Sequence, residues 1–180
     1  MAMMTNMENP LFKFALTEQA RSTNLTLDSV NVTGKDFLPR RANASDTAYD
    51  VRAVEKTTIR PGGYAKIPLG IVALIPEGWW LSLHPRSGVF VKKYIHNLYG
   101  VIDQDFAHQL MFCCQYIPNS SDLLSGDGAI SIEAGERIGQ LIPIKRVDMM
   151  VEECSLSDIE EEMKRRKSTR TGGFSSTGRA

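Results

Sequence analysis

The sequence predicts an all-β fold, a barrel or a sandwich, and three observations carry that expectation. The first is length: 180 residues suffice for one domain with its own core, plus tails. The second is pattern. From Thr47 onward, short apolar runs are separated by turn signals, "AYDVRAV" by "RPGG", "YAKIPLGIVALI" by "PEG" and "WWLSLH" by "PRSG". The third is the chemistry of those breaks. Proline presets φ and glycine permits positive φ, so each break is a turn with a physical cause. Short strands at such spacing build sandwiches and barrels.

Taken in order, residues 1–10 form a disordered start, and the β domain runs over residues 11–150. "LFKFALTEQA" (11–20) supplies a first strand. Residues 21–45 are polar and turn-rich, with one short strand in "LTLDSVNV". The strands from Thr47 lead into "GVIDQDFAHQLMF" (100–112), a strand-forming run that nevertheless carries Asp103 and Asp105. A polar loop, "PNSSDLLSGDG" (118–128), precedes "AISIEAGERIGQLIPIKRV". Residues 151–167 form a linker or short helix, in which Ser157 would cap and Glu160 would complete a capping box. Acidic residues lead that segment and basic ones trail, as the helix dipole favours. The last stretch, "STRTGGFSSTGRA" (168–180), is rich in Ser, Thr and Gly, which predicts a mobile arm with one aromatic, Phe174.

Composition excludes several function classes. Lys and Arg number 21, and so do Asp and Glu, which argues against a general nucleic-acid binder. Three cysteines, two of them adjacent at Cys113 and Cys114, make neither a disulfide framework nor a zinc site. Small buried thiols in a reducing compartment fit them best. No apolar run approaches the roughly 18 residues of a membrane span. The start lacks the basic and apolar regions of a signal peptide. A cytoplasmic protein without membrane attachment is expected.

Four fragments carry candidate chemistry. In "HPRSGVF" a turn can aim Arg86, Ser87 and the backbone around Gly88 at one anion; a plain hairpin turn is the alternative. In "GERIGQL", Arg137 and Gln140 are polar groups in an apolar strand and need partners. For Arg137 those are a salt bridge to Glu136 or Glu133, or a ligand. Asp50, in "TAYDVRA", faces solvent or meets a hydrated cation, since Mg²⁺ keeps several waters when it binds nucleotide phosphates. Asp103, among Val101, Ile102 and Phe106, is the candidate base. Asp105 has the same strand parity as Asp103 and would share its face. A β-turn exposing both acids is the alternative. His84 and His96 lie beside turns without metal-ligand spacing and are expected to be structural.

In order and spacing, "AYDVRA", "PRSGV", "NLYGVIDQDF", "GERIGQL" and "GGFSSTG" resemble the five motifs of the trimeric dUTPase family. The resemblance covers residues 38–146 almost continuously, plus the last ten, and leaves 21–37 and 118–128 as insertions. It implies a jelly-roll-like β-barrel that forms a homotrimer with exchanged C-terminal arms and composite sites. It implies hydrolysis of dUTP to dUMP and pyrophosphate with Mg²⁺ as cofactor. Carried over by position, Asp103 is the catalytic acid that holds the 3′-hydroxyl and activates water. Asn97, Gly100, Val101, Ile102 and Gln109 belong to the hairpin that reads uracil. Phe106, where the family usually has Tyr, lies under the sugar and excludes a 2′-hydroxyl. Phe174 stacks on the base. Arg86, Ser87, Gly88, Gln140, Arg170, Ser176 and Thr177 form the phosphate set, and Asp50 meets Mg²⁺ through water.

The chain departs from the family pattern at four places. Ala48 and His108 stand where the family has Gly. Thr169 holds the place of the arm's usual Arg, with Arg170 one residue later. Ser175 replaces the Gly after the aromatic. Two other readings share the fold. A dCTP deaminase needs a Glu in the strand after the hairpin, and "HQLMFCC" offers no acid. A dUTP-sensing or partner-regulating protein would use the insertions as a protein interface.

Overall fold

The computed structural model describes residues 9–118 and 128–167. Two compact units divide the chain after Arg146. The first is all antiparallel β apart from short helical turns. Its elements are β1 (Lys13–Leu16), α1 (Glu18–Ser22), β2 (Asn24–Leu27), β3 (Val30–Thr33), a 3₁₀ turn (Gly34–Phe37), β4 (Tyr49–Arg52), β5 (Thr57–Ile59) and β6 (Tyr64–Leu74). They continue with β7 (Trp79–Pro85), α2 (Ser87–Lys93), β8 (Ile95–Asn97), β9 (Gly100–Ile102), β10 (Gln109–Tyr116), β11 (Ile130–Ile132) and β12 (Arg137–Lys145). One four-stranded sheet has the order β1-β6-β10-β8 and the other β4-β12-β7-β9, with two-stranded ribbons β2-β3 and β5-β11 beside them. The predicted all-β fold stands.

Alternation sets the inner faces. In β10, Leu110, Phe112, Cys114 and Tyr116 are buried while Gln109, Met111, Cys113 and Gln115 point outward. They join Ile67, Leu69 and Ile71 of β6 and Leu81, Leu83, Ile138 and Leu141 of the other sheet in one core. Burial pushes the Cys114 thiol up to about 12, with Cys113 adding to it, so this cysteine is a neutral core residue. Packing is tight at Gly139 of β12. A Cβ there would lie 3.1 Å from both Leu83 of β7 and Phe112 of β10. A second close approach is at Gly70, where φ is +69° and α1 packs against β6. Pairing of β10 with β6 jumps from Gln109↔Val72 to Met111↔Pro68, so β6 bulges around this glycine.

One expectation for the N-terminal region changes. "LTLDSVNV" is not one strand but the hairpin β2-β3, with Asp28 and Ser29 at φ 48° and 66°. Both central residues in the left-handed region make the tight turn that suits strand twist, a role Asp fills without glycine. Behind it, Asp36 accepts from the Thr33 N–H and hydroxyl, both at 2.9 Å. Those bonds hold its carboxyl below the ordinary value, so what they contribute is present at neutral pH and fades as pH falls through that lowered value.

In the second unit, α3 (Leu156–Arg165) starts at Ser155, not Ser157. Ser155 Oγ accepts from the Asp158 N–H at 3.1 Å and Asp158 accepts in return from the Ser155 N–H at 3.0 Å. Asp at the third position closes the box two residues earlier than Glu160 would. No described helix is long and apolar enough to cross a membrane.

Candidate active site

The run from Gly100 to Phe112 is two strands and a turn. Strand β9 ends at Ile102, and the Phe106 N–H donates to the Asp103 carbonyl at 3.1 Å, closing the turn. Asp103 and Asp105 are both exposed. Of the two readings of this run, the structure has the β-turn that exposes both acids, not the carboxylate lodged among apolar neighbours. The turn puts Asp103 in water, where its charge carries no burial penalty, and strand parity no longer relates it to Asp105. Its neighbours are unusual for solvent: Val101 is 67% and Phe106 39% exposed. Gly100, Val101, Ile102 and Phe106 wall a pocket of about 280 Å³, closed by Leu83 and, from the outer face of the first sheet, Cys113.

Not every predicted hairpin residue joins that wall. Gln109 opens β10, and neither it nor Asn97 lines the pocket. Asn97 is the more informative case. Its side-chain Nδ2 and Oδ1 are buried and have no hydrogen-bond partner in this chain. Each such group costs about 1–3 kcal/mol if it stays unpaired. At the two glycine replacements the backbone is ordinary: neither Ala48 nor His108 has positive φ. The His108 ring instead packs edge-on to Phe106, with centroids 5.5 Å apart.

A second constellation forms where β4, β7 and β12 run together. Asp50 of β4 is opposite Gln140 of β12, which is opposite His84 of β7. The Asp50 side chain is 15% exposed, forms an ion pair with Arg86 Nε at 2.9 Å and accepts from Arg137 at 3.1 Å. Arg137 thus pairs with Asp50, not with Glu136 or Glu133. Glu136 binds Lys93 at 2.8 Å and Glu133 binds Lys56 at 2.9 Å. Since β12 pairs with β4, Arg137 reaches across the ladder sooner than back into its own turn. Gln140 Nε2 donates to the Pro85 carbonyl at 3.2 Å, bridging to the end of β7.

"PRSG" is the start of α2, not a hairpin turn. Arg86 is its extended N-cap, and Ser87 and Gly88 occupy the first turn, where N–H groups have no intrahelical acceptor. A Cβ at Gly88 would meet nothing within 4 Å, so this chain's own packing does not require glycine there. Asp50, Arg86, Ser87 and Gln140 line one pocket of about 430 Å³ together with Asp46 and Thr47. Those last two were missed by sequence reasoning; their signal is only their place in the loop leading into β4. The two pockets share no lining residue. His84 is tied to Ser82 Oγ at 2.7 Å and packs on Tyr99, and His96 packs on Phe90. Among the described residues no group of three or more His, Cys, Asp or Glu is arranged to hold a metal ion. Arg170, Phe174, Ser176 and Thr177 lie outside the described residues.

Comparison with known proteins identifies the family. The sequence profile of the dUTPase family matches residues 35–178. A deoxyuridine 5′-triphosphate nucleotidohydrolase of Corynebacterium jeikeium is 36% identical over 126 residues, covering 69% of this chain and 72% of the relative. The Neorickettsia sennetsu protein of the same name is 31% identical over 150 residues, covering 81% and 91%. Among solved structures, the dUTPase from phage phi11 of S. aureus superposes with a TM-score of 0.63 at 21% identity, covering 80% of this chain and 96% of that one. The dUTPase of Streptococcus mutans gives 0.60 at 23% identity, covering 77% and 98%.

Proposed function

The chain belongs to the dUTPase family, and from that premise we propose that it is a dUTP diphosphatase, hydrolysing dUTP to dUMP and pyrophosphate by attack of water on the α-phosphorus. One observation carries the mechanism. An apolar hairpin pocket and a polar pocket holding Arg86, Ser87 and Gln140 occur on the same chain but share no residue. A nucleotide has an apolar-faced base and a polyanionic tail, so it needs both kinds of surface. In a homotrimer, the hairpin of one copy would meet the polar pocket of the next.

In that assembly the backbone of Gly100–Ile102 and the Asn97 amide read the uracil edge. Both amide atoms are covered and unpaired in the single chain, so they discriminate only where the assembly brings them to the base. The wrong donor and acceptor pattern leaves them unpaired again, which in favourable cases separates substrates by roughly 10⁴–10⁵. Phe106 lies under the sugar and leaves no room for a 2′-hydroxyl. Its phenol-less ring suffices because the role is steric. Asp103 holds the 3′-hydroxyl and takes the proton of the attacking water. Arg86, Ser87 and Gly88 bind the phosphates, with Ser87 and the first N–H groups of α2 at the oxygen where charge grows as pyrophosphate leaves. Gln140 adds a donor to the same anion. An exposed Asp103 suits this scheme, since the acid must meet a water and a nucleotide held partly by another copy.

The residues fit Mg²⁺ in one mode only. Asp50 already pairs with two guanidinium groups, and there is no three-ligand cluster among the described residues. That donor set suits a cation that keeps its waters and is held chiefly by the triphosphate. When bound, Mg²⁺ would neutralise charge on the phosphates. A structural Mg(II) ion is described for a mutant dUTPase of phage phi11.

The arm, 168–180, would close over the site, with Phe174 on the base and Arg170, Ser176 and Thr177 toward the γ-phosphate. Ordering ten residues costs on the order of 10 kcal/mol in backbone entropy. An aromatic stack returns only about 0.5–1.5 kcal/mol beyond its buried area. Charged contacts to the triphosphate must supply much of the rest, so the arm orders on substrate and loosens on product. Deleting 168–180 is expected to lower kcat/KM sharply while light scattering still shows the intact oligomer. Unchanged kinetics would remove the arm from the mechanism.

Deamination is not supported, because β10 has the sequence QLMFCCQY and carries no acid. The direct test is pyrophosphate release from dUTP, dCTP, dTTP and UTP in the presence of Mg²⁺. Release from dUTP alone is expected. No release from dUTP, with the protein folded, would leave the sensing role on the same fold.

A further inference from the structure

We propose that Arg40, Arg41, Arg52 and Arg137 form a second anion subsite, for inorganic phosphate or pyrophosphate, beside the pocket assigned to the triphosphate. The proposal rests on that assignment, since it concerns where the product pyrophosphate goes next.

The four guanidinium groups line a pocket of about 170 Å³, together with the two acids Asp36 and Asp50. A water occupies about 30 Å³, so a five-atom phosphate fits. This pocket shares Ala42 and Asp50 with the larger polar one, so the two adjoin.

Charge is not balanced there. Four cations face two carboxylates, and both carboxylates are already engaged. Asp50 is divided between Arg137 and Arg86, which belongs to the neighbouring pocket. Asp36 takes Arg40 at 3.3 Å and is also bound by Thr33. The hydrogen bonds of Arg52 go to neutral oxygens, the carbonyls of Asp36 at 3.1 Å and Gly135 at 2.6 Å. Arg41 donates to the Asp46 carbonyl at 3.3 Å and its guanidinium lies over the Tyr49 ring at 5.2 Å. Burial, then repulsion from Arg137, pulls the Arg52 guanidinium below its usual value, a sign of like charges held together. Arg52 and Arg41 are held in place by carbonyls and a ring, and Arg40 and Arg137 by one carboxylate each, leaving an excess of positive charge that a polyanion neutralises. Pyrophosphate leaving the larger pocket through their shared wall meets this field first, so the subsite retains product.

The test uses the full-length protein with Mg²⁺, saturated with a non-hydrolysable dUTP analogue. Pyrophosphate and inorganic phosphate are each titrated in by calorimetry. One further anion per chain is expected to bind, and comparing the two titrations shows which anion the subsite takes. Arg40→Ala, whose side chain is 58% exposed, is expected to weaken that binding about tenfold, the scale of one charge-assisted hydrogen bond. Its kcat and KM for dUTP without added pyrophosphate should stay unchanged. Arg41→Gln serves as an independent second variant. Absence of anion binding to the saturated protein, or equal binding by both variants, overturns the proposal. If the analogue does not bind and dUTP is not hydrolysed, the functional reading fails. The same titration on the free protein then still decides the subsite, by whether the variants weaken it.

Discussion

Replacing Asp103 by asparagine is expected to lower kcat for dUTP by about 10²–10⁴-fold, the range that general-base assistance supplies. The substitution keeps size and turn propensity and removes only the charge and the basic oxygen. Asp103 is exposed in a turn closed by backbone atoms. Thermal stability should therefore stay within the roughly 0.5 kcal/mol typical of surface changes. Loss of turnover without loss of stability distinguishes a catalytic acid from a structural one. KM should rise only slightly, because the 3′-hydroxyl can still be bonded by the amide. Full activity in Asp103→Asn would mean that the base is elsewhere. The exposed Asp105, two residues on, is the control, and Asp105→Asn is expected to be silent.

The largest expected effect on folding belongs to Gly70→Ala. At φ +69° an L side chain costs about 1–2 kcal/mol. A Cβ there would lie 2.7 Å from the Ala20 Cβ and 3.0 Å from Val54. Neither neighbour can swing away: Ala20 has no rotamer, and both are buried. Overpacking adds about 1–3 kcal/mol. The sum, about 2–5 kcal/mol, shifts the melting point by on the order of 10 °C in a domain of this size. Chemical denaturation should show it as a lower midpoint, with kcat per folded molecule unchanged. A melting point equal to that of the wild type would mean that α1 packs on β6 more loosely than the distances require.

How much of this was legible in sequence depends on how local the cause is. The strands from Thr47 announce themselves because Pro and Gly punctuate them, and alternation in β10 gives its buried face directly. The β2-β3 hairpin was hidden because its turn is Asp28-Ser29, without the glycine that marks such turns. The start of α3 was misread because two serines lie two residues apart, and only coordinates show which hydroxyl meets an N–H. At the site, residue types and order were enough to name Asp50, Arg86, Ser87 and Gln140, which line one pocket. The Arg137–Asp50 pair was not, because it joins residues that only the β4-β12 ladder brings together. Exposure of Asp103 follows from a turn inside an apolar run, where periodicity points to a continuous strand.

Strand order has a consequence for synthesis. Among the described strands, β2 and β3 are the one pair adjacent in both sequence and sheet. The partner of β1 is β6, and the partner of β4 is β12. As the chain leaves the ribosome, β4 therefore waits for residues 137–145 before its ladder can form. Until then its apolar face and open backbone edge are available to the wrong neighbour. Non-local pairing of this kind makes folding slow and the nascent chain prone to association. Truncated chains ending before Arg137 should be insoluble or chaperone-bound, whereas chains ending at Lys167 should remain soluble.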